Sequence, residues 1–267
     1  AWPKCSTPSV EQKWKSADGK FWSSKVGAKA GWKMNKNEQG LPLLKKWEME
    51  YKGIKFLASP TPFRHLGFFP EQAVHWDFIE QKISAITPKS DLGERKKIKF
   101  LNLFGYTGVA SLFALRAGAE VTHLDASKQT LAWAKENQKL SGLSELPMRV
   151  IEDDAIKFLE REAKRGNKYD AIIMDPPKFG RGPKGEVWKI EEMLPKLLSS
   201  VQKVLSDKPL FVILTSYAID SSSLSLGYAL EEMMKDFGGN TEAGELCILE
   251  KSSGRIIPLA NTAVWGV

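Results

Sequence analysis

The segment that most constrains the fold comprises residues 97–108, followed at a short distance by residues 121–125. Apolar residues up to Phe104 predict a buried strand, and two glycines in the next four residues predict a tight turn into a helix that begins near Val109. Residues 121–125 predict a second strand that ends in an acid. A strand, a glycine turn, a helix and a second strand with a terminal carboxylate form the front half of a nucleotide-binding α/β unit.

Strands and helices continue to alternate from this segment to the end of the chain. Predicted strands cover residues 100–104, 121–124, 149–151, 171–174, 210–214, 245–250 and 260–265, and predicted helices begin near residues 109, 127, 155, 188 and 226. Such alternation requires a mostly parallel sheet that is covered on both faces and joined by right-handed crossovers. The last two strands flank a short turn at residues 252–255, which predicts an antiparallel closing hairpin. We therefore predict an α/β, Rossmann-like fold with a seven-stranded sheet.

The residues before this sheet predict a separate N-terminal region, with the boundary between residues 90 and 91, so that the domains cover residues 1–90 and 91–267. Residues 1–46 carry ten lysines and four tryptophans and show neither a helical nor a strand period. Aromatic rings between lysines are typical of single-stranded RNA binding, although tryptophans that pack an irregular segment onto a domain give the same pattern. Apolar and polar residues alternate on both sides of Lys52-Gly53 in residues 47–58, which predicts a small β-hairpin. Pro70 predicts the first turn of a connecting helix.

The composition favours an intracellular protein with an anionic partner. The net charge is +7 and the isoelectric point is near 9.2, which favours polyanions such as nucleic acid, although a solvated basic surface gives the same charge. No apolar run reaches the roughly 20 residues of a membrane span. Cys5 and Cys247 have neither disulfide nor metal-ligand spacing. We expect no membrane insertion, no bound metal and a cytoplasmic location, or an organellar matrix if a transit segment was removed.

The glycine turn and the acids that follow it predict a cofactor site. Gly105 and Gly108 allow the backbone to approach a ligand closely, and Asp125 can accept hydrogen bonds from both hydroxyls of a ribose. A nicotinamide cofactor requires G-x-G-x-x-G, whereas this chain has Gly-x-x-Gly beside a bulky phenylalanine, so S-adenosylmethionine, which lacks a diphosphate, fits better. Asp153 or Asp154 can bind the adenine amine, although each of these acids can instead cap a helix. The predicted cofactor residues are Phe104, Gly105, Tyr106, Thr107, Gly108, Asp125, Ala126, Ser127, Asp153, Asp154, Ala155 and Asp175.

These motifs resemble the S-adenosylmethionine-dependent methyltransferases of the large-subunit ribosomal RNA type, a group that includes cytosine-C5 and guanine-N7 enzymes. The resemblance covers roughly residues 47–267 and includes Gly-Phe-Phe-Pro-Glu-Gln at residues 67–72, which is similar to the family's Gly-Phe-Phe-Leu-Asp-Gln. It implies that Phe69 and Gln72 lie over the cofactor, that the loop after Asp175 faces the target base, and that ribosomal RNA is the partner. The family's usual N-terminal RNA-binding domain is not recognisable, and the arm rich in lysine and tryptophan stands in its place.

Asp175 and the four residues after it predict the acceptor site, which comprises Asp175, Pro176, Pro177, Lys178 and Phe179. The prolines stiffen a corner that resembles the loop holding a flipped base, but related amino-group methylases place an aromatic residue where this chain has Lys178. Carbon-5 methylation of cytosine needs a cysteine nucleophile, and neither this loop nor residues 214–217 contains one. We therefore expect direct methyl transfer without a C5-methylcytosine product.

The glycine-rich residues 179–188 predict a loop long enough to act as a lid. The three histidines form no acid–base constellation and are expected to be structural. The alternatives to an RNA methyltransferase are a small-molecule methyltransferase, a nicotinamide-dependent oxidoreductase and a non-catalytic RNA-binding protein.

Overall fold

The chain forms thirteen strands and six α-helices in the parts that its computed structural model describes, which are residues 16–22, 31–36, 46–62, 65–86 and 97–267. The strands are β1 (Gly19–Trp22), β2 (Gly31–Met34), β3 (Trp47–Tyr51), β4 (Ile54–Ala58), β5 (Lys99–Leu103), β6 (Glu120–Asp125), β7 (Met148–Glu152), β8 (Ala171–Met174), β9 (Phe179–Arg181), β10 (Val187–Lys189), β11 (Phe211–Ser216), β12 (Asn240–Leu249) and β13 (Ile256–Gly266). The helices are α1 (Ala73–Ile86), α2 (Val109–Arg116), α3 (Lys128–Leu140), α4 (Ala155–Lys164), α5 (Ile190–Gln202) and α6 (Ser223–Met234), and a 3-10 turn at Pro70–Gln72 precedes α1. Within the described ranges, none of the helices combines the length and the apolar character that a membrane crossing requires.

Seven of these strands form one sheet in the spatial order β12-β13-β11-β8-β5-β6-β7. Five adjacent strands, in the order β7-β6-β5-β8-β11, are parallel to one another. Strand β13 is antiparallel to β11, and β12 is antiparallel to β13. This arrangement confirms the predicted α/β, Rossmann-like sheet and its antiparallel closing hairpin.

The parallel strands are buried on both faces, which explains their nearly continuous apolar sequences. Leu101 and Leu103 pack on one face with the buried residues of α4, α5 and α6. Phe100 packs on the opposite face with Ile79 and Ile83 of α1 and with α2. Successive residues of a strand point to opposite faces, so alternate residues of β5 contribute to two separate cores.

The strand order reverses between β5 and β8. The chain moves outward from β5 through β6 to β7 and then returns to place β8 on the other side of β5. In open parallel sheets, ligands bind at the carboxyl ends of the strands where the order reverses in this way. The turn that begins at Phe104 and the corner that begins at Asp175 follow β5 and β8, so both lie at this point.

The described residues divide into two units, the first from the described parts of 1–50 and 57–69 and the second from 51–56 and 70–267. In the first unit, β1 and β2 pair antiparallel, with Phe21 and Trp32 in edge-to-face contact at 5.6 Å. Residues 1–46 showed no clear period in the sequence, because strands of four residues are too short to produce one. The Trp32 indole donates a hydrogen bond to the Thr61 carbonyl at 2.9 Å. The other three tryptophan side chains of the arm, and the predicted boundary at residue 90, lie outside the described residues.

The β-hairpin predicted at residues 47–58 is present as β3 and β4, joined by Lys52 and Gly53 at φ angles of 47° and 81°. Two positive φ angles in a row are typical of the turn that matches the twist of a two-residue hairpin.

The segment at residues 179–188 is a second hairpin, whereas the sequence predicted a loop. Strands β9 and β10 pair antiparallel, with Trp188 opposite Gly180. The helix expected to begin at residue 188 therefore begins at Ile190 instead. Trp188 is held in β10 because its indole donates a hydrogen bond to the Pro177 carbonyl at 2.6 Å, a contact that local sequence patterns do not reveal.

Candidate active site

The turn after β5 has the backbone geometry of a ligand-binding loop. Phe104 and Tyr106 have φ angles of 58° and 53°, which residues other than glycine rarely adopt, and Gly108 has φ 84° just before α2. Asn137 holds the turn in place, because its Nδ2 donates a hydrogen bond to the Thr107 carbonyl at 2.9 Å. Strained backbone that is held by its surroundings is concentrated at functional sites.

A buried imidazole lies directly behind this turn. His123 is fully buried, and its Nδ1 lies 3.0 Å from Ser111 Oγ, which also accepts a hydrogen bond from Asn102 Nδ2 at 2.9 Å. Burial lowers the pKa of His123, so the ring is neutral at physiological pH. A Cβ atom on Gly105 would lie less than 3.0 Å from this ring. Gly105 is therefore needed for packing against His123, a reason that the sequence did not reveal.

The Asp125 carboxylate is positioned by the turn and by the start of α3. Its Oδ2 accepts a hydrogen bond from the Tyr106 N–H at 2.9 Å, and its Oδ1 accepts from the Ser127 N–H at 2.9 Å and from Thr130 Oγ1 at 3.0 Å. The cap of α3 is Ser127 and not Asp125, since Ser127 Oγ accepts from the Thr130 N–H. A carboxylate has about four acceptor positions, so one remains on Oδ2 for a ligand hydroxyl. Ala126, between these two residues, is half-buried.

The two acids before α4 have different roles. Asp154 caps the helix, with its Oδ1 accepting a hydrogen bond from the Lys157 N–H at 3.0 Å, and Ala155 is the first, buried residue of the helix. Asp153 accepts from the Asp154 N–H at 2.8 Å and forms an ion pair with Arg161. Asp154 Oδ2 has no hydrogen-bond partner within the described ranges, so Asp154 is better placed than Asp153 to bind a further group.

Asp175 belongs to a polar cluster at the carboxyl end of β8. Gln72 Nε2 donates to Asp175 Oδ2 and to the Tyr217 hydroxyl, each at 3.2 Å. Glu71 and Gln72 are both only 6% exposed. Burial raises the pKa of Asp175 to about 8, with a smaller contribution from the Glu71 charge, and burial also raises the pKa of Tyr217 above its ordinary value. Asp175 is therefore largely protonated at neutral pH, and the cluster offers directed hydrogen bonds at this corner.

The predicted cofactor turn and the predicted acceptor corner are joined by direct contacts. The Trp188 ring packs against the Phe104 ring at 4.9 Å, while its Nε1 donates to the Pro177 carbonyl at 2.6 Å. The Asp175 N–H donates to the Leu103 carbonyl at 3.4 Å, and Pro176 beside it is buried. The two halves of the candidate site therefore form one packed structure.

The last two predicted acceptor residues lie at the surface. Lys178 Nζ lies 3.4 Å from an Asp220 carboxylate oxygen, and Phe179 is 57% exposed on β9. The hairpin that carries Phe179 is attached to α4 by an ion pair between Lys157 and Glu186, with Nζ and Oε1 2.5 Å apart. An exposed ring on an anchored hairpin can stack on a base.

Sequence reasoning missed Glu71, Tyr217 and Trp188. Tyr217 could have been found from topology, because it follows the strand next to β8 and the ends of parallel strands meet at one edge. Glu71 lies beside the predicted Gln72, but no sequence pattern around Trp188 indicated that it belongs to the site. Phe69 belongs to the first unit, where its ring lies 4.9 Å from the His65 ring.

Comparison with known proteins identifies relatives along most of the chain. Residues 85–218 match the family described as Conserved hypothetical protein 95. A crystal structure of an S-adenosylmethionine-dependent methyltransferase from Agrobacterium tumefaciens is 42% identical, with a TM-score of 0.86 over 96% of this chain and 79% of that chain. Ribosomal RNA large subunit methyltransferase K/L of Pseudoalteromonas translucida is 30% identical over 186 residues, which are 68% of this chain and 24% of that protein.

A second curated relative, ribosomal RNA large subunit methyltransferase I of Aeromonas salmonicida, is 33% identical over 132 residues, which are 49% of this chain and 30% of that protein. The chain thus spans less than a third of the length of these two curated relatives. The matches confirm the resemblance and the fold class predicted from the sequence.

Proposed function

We propose that this chain, which belongs to the family described as Conserved hypothetical protein 95, transfers a methyl group from S-adenosylmethionine to a base of RNA, with ribosomal RNA as the acceptor. The enzyme class and the cofactor agree with the methyltransferase from Agrobacterium tumefaciens, of which the chain covers 79%. The RNA acceptor is supported by the names of the curated relatives and by the net charge of +7. A cytoplasmic location is part of the proposal, because bacterial ribosomal RNA is made there.

One observation carries the proposal. The glycine turn and the acid–proline corner follow adjacent parallel strands, β5 and β8, and Trp188 contacts both of them. A group held at the turn and a group held at the corner would therefore meet in the crevice between the two strands.

The residues of the turn fit a nucleoside cofactor without a diphosphate. Asp125 keeps an acceptor position for a ribose hydroxyl, and Asp154 keeps a free carboxylate oxygen for an amine within the described ranges. The bulky rings of Phe104 and Trp188, which are in contact beside the turn, favour a cofactor without a pyrophosphate. S-adenosylmethionine supplies an electrophilic methyl group on a sulfonium, and its positive charge suits a site that contains several carboxylates.

The residues of the corner position the acceptor and exclude water. Gln72 orients the Asp175 carboxyl group by donating to its Oδ2, and no described residue donates to its Oδ1, which is the atom available to the acceptor. Because burial keeps the pKa of Asp175 near 8, its main role is orientation through hydrogen bonding. In-line methyl transfer depends mainly on such alignment of the reacting groups.

The described parts of the corner contain no thiol that could form a covalent bond to a base. Strand β11 ends in Thr215 and Ser216, and the next residue is Tyr217, whose hydroxyl accepts a hydrogen bond from Gln72 Nε2. Carbon-5 methylation of cytosine therefore lacks its nucleophile at this edge. A nitrogen atom with a free lone pair is an acceptor that these residues can serve.

The test is transfer of a radioactive methyl group from S-adenosylmethionine to ribosomal RNA isolated from cells that lack the protein. We expect label in a base of the RNA, identified by mass spectrometry of nucleosides. Asp175→Ala should lower kcat about 100-fold, because a misplaced acceptor costs about that much. The affinity for S-adenosylhomocysteine should fall much less than kcat, since Asp125 and Asp154 remain in place to hold the cofactor.

Asp207→Ala is the matched control, because Asp207 is an exposed acid in the loop before β11 and should leave kcat unchanged. If the label enters only the small-molecule fraction of a cell extract, the acceptor is a metabolite and not RNA. Failure to bind S-adenosylhomocysteine in calorimetry, with binding of NAD instead, would overturn the methyltransferase assignment.

A further inference from the structure

A cavity opens at the amino edge of the sheet, opposite the edge that carries the candidate active site. Its volume is about 460 Å³, and its lining comes from the starts of β5, β6 and β7, from the end of α2 and from the segment after α4. None of the predicted cofactor or acceptor residues lines this cavity. Its size falls in the range of about 300–1,000 Å³ that is typical of small-molecule sites.

One wall of the cavity is a rigid polar network around Glu162, which is fully buried. Arg149 donates to both of its carboxylate oxygens, at 3.0 and 3.2 Å, and Arg165 donates to Oε1 at 3.2 Å. Tyr169 and Asn167 donate to Oε2 at 2.7 and 3.0 Å. The charge of Glu162 is thus already compensated by two arginines, and this carboxylate does not repel an anion in the cavity.

The remaining charges of the cavity lining are mainly positive. They come from Lys97, Lys99 and Lys168, with Glu120 as the opposing acid. Lys168 Nζ donates to the Lys203 carbonyl at 2.9 Å and keeps its charge. The ammonium groups of Lys97 and Lys99 have neither an ion pair nor a hydrogen bond with any residue in the described ranges.

The backbone of Lys99 is fixed by Asp170, which is buried. The Lys99 N–H donates to Asp170 Oδ2 at 3.0 Å, and the Asp170 N–H donates back to the Lys99 carbonyl at 2.8 Å. Lys99 is the first residue of β5 and Lys97 lies two residues before it, and both lysines line the cavity. The two free ammonium groups are thereby presented together at the cavity.

The cavity also has an apolar side. Leu115, Val121, Leu146 and Pro147 line it, and Leu146 is 39% exposed. An exposed leucine beside free lysines matches a ligand that has both an apolar or planar body and an anionic group. Two adjacent ammonium groups fit the nearly double negative charge that a phosphate monoester carries at neutral pH better than the single charge of a carboxylate.

We propose that this cavity binds a phosphate monoester of about the size of a nucleotide, with the phosphate held by Lys97 and Lys99 and the body packed against Leu146 and Pro147. Two ligands carry such a phosphate monoester, a free mononucleotide and the phosphorylated 5′ end of an RNA. This site is independent of the methyl-transfer chemistry, so the nucleotide-binding proposal and the proposed function are tested by separate experiments.

The test uses the full chain with saturating S-adenosylhomocysteine, which blocks the predicted nucleoside site. Isothermal titration with uridine 5′-monophosphate should give measurable binding that weakens with added salt, whereas uridine should bind at least tenfold more weakly. The double variant Lys97→Ala with Lys99→Ala should raise the Kd for the nucleotide at least tenfold. A 5′-phosphorylated hexauridylate, compared with its 5′-hydroxyl form, distinguishes an RNA end from the free nucleotide as the source.

The matched control is Lys139→Ala with Lys251→Ala, which removes two exposed lysines outside the cavity and should leave the Kd unchanged. An unchanged circular dichroism spectrum and an unchanged urea midpoint show that each variant is folded. The proposal is overturned if uridine binds as tightly as its monophosphate, if acetate competes as well as phosphate, or if the two double variants bind the nucleotide alike.

Discussion

Replacement of Gly105 by alanine should destabilise the fold through a clash with His123 and not through the backbone. A Cβ atom at residue 105 would lie less than 3.0 Å from Cε1 and Nδ1 of the imidazole and 3.1 Å from Asn102 Cγ. The φ angle of Gly105 is not in the left-handed region, so alanine is compatible with the local backbone. The clash is therefore the main cost of the substitution.

The size of the destabilisation depends on whether the His123 imidazole can move away from the added methyl group. The ring is fully buried and its Nδ1 lies 3.0 Å from Ser111 Oγ, so it cannot turn away without losing this contact. Forcing an extra methyl group into a packed core costs about 1–3 kcal/mol. Leaving a buried polar group without its partner costs a further 1–3 kcal/mol, roughly. We expect Gly105→Ala to lower the free energy of unfolding by about 2–6 kcal/mol.

The assay is urea unfolding followed by circular dichroism, with the midpoint compared at constant m-value. Gly244→Ala is the control, because a Cβ there has no atom within 4 Å and the φ angle is ordinary; its effect should stay within about 0.5 kcal/mol. In the double variant with His123→Ala, the added methyl group enters the space left by the ring. The coupling energy of the two substitutions should therefore be about 1–3 kcal/mol and favourable.

Strictly additive effects in this cycle would refute the reasoning, as would a Gly105→Ala protein that unfolds at the same urea concentration as the unmodified chain. Calorimetry with S-adenosylhomocysteine provides a second readout. Gly105→Ala should weaken binding, and the double variant should recover part of the affinity, because the turn relaxes when the ring is removed.

Three further predictions concern stability and its pH dependence. Trp188→Phe keeps the ring but removes the hydrogen bond to the Pro177 carbonyl, so it should cost about 1 kcal/mol in urea unfolding and lower kcat more than cofactor affinity. Burial lowers the pKa of His75 from 6.5 to about 4, so the unfolded chain binds the extra proton between these values and stability falls as the pH falls through this window. His75→Gln should remove most of that loss, about 3 kcal/mol, when unfolding is compared at pH 7 and pH 4. Burial alone would raise the pKa of Glu162, but the hydrogen bonds from Arg149 and its neighbours outweigh this effect and lower the pKa to about 2. Glu162→Gln should therefore cost about 3 kcal/mol of stability at pH 7. The difference in stability between the variant and the unmodified chain should shrink only as the pH falls from 4.5 toward 2.

The sequence was sufficient for the features that depend on neighbouring residues. A strand buried on both faces has a continuous apolar sequence, and a turn with a positive φ angle favours glycine, so β5, the turn at residues 104–108 and β8 could be located before the structure was known. The same local rules located the hairpin around Lys52-Gly53 and the first residue of α4.

Features that depend on distant residues could not be read in this way. The hairpin of β9 and β10 forms because Trp188 contacts both Pro177 and Phe104, and no local pattern records these contacts. Gln72 and Tyr217 are 145 residues apart, yet their side chains share a hydrogen bond. Only the folded sheet brings them together.

The sequence by itself therefore determined the order of strands and helices in the seven-stranded sheet, the glycine turn and the identity of the acids at the strand ends. The tertiary structure decided what each acid can still bind. Asp153 forms an ion pair with Arg161, and Asp125 accepts hydrogen bonds from three donors. Asp175 is kept protonated by burial beside Glu71. The physical reason is that backbone conformation depends on adjacent residues, whereas hydrogen-bond partners and desolvation depend on which distant side chains the fold places within a few ångströms.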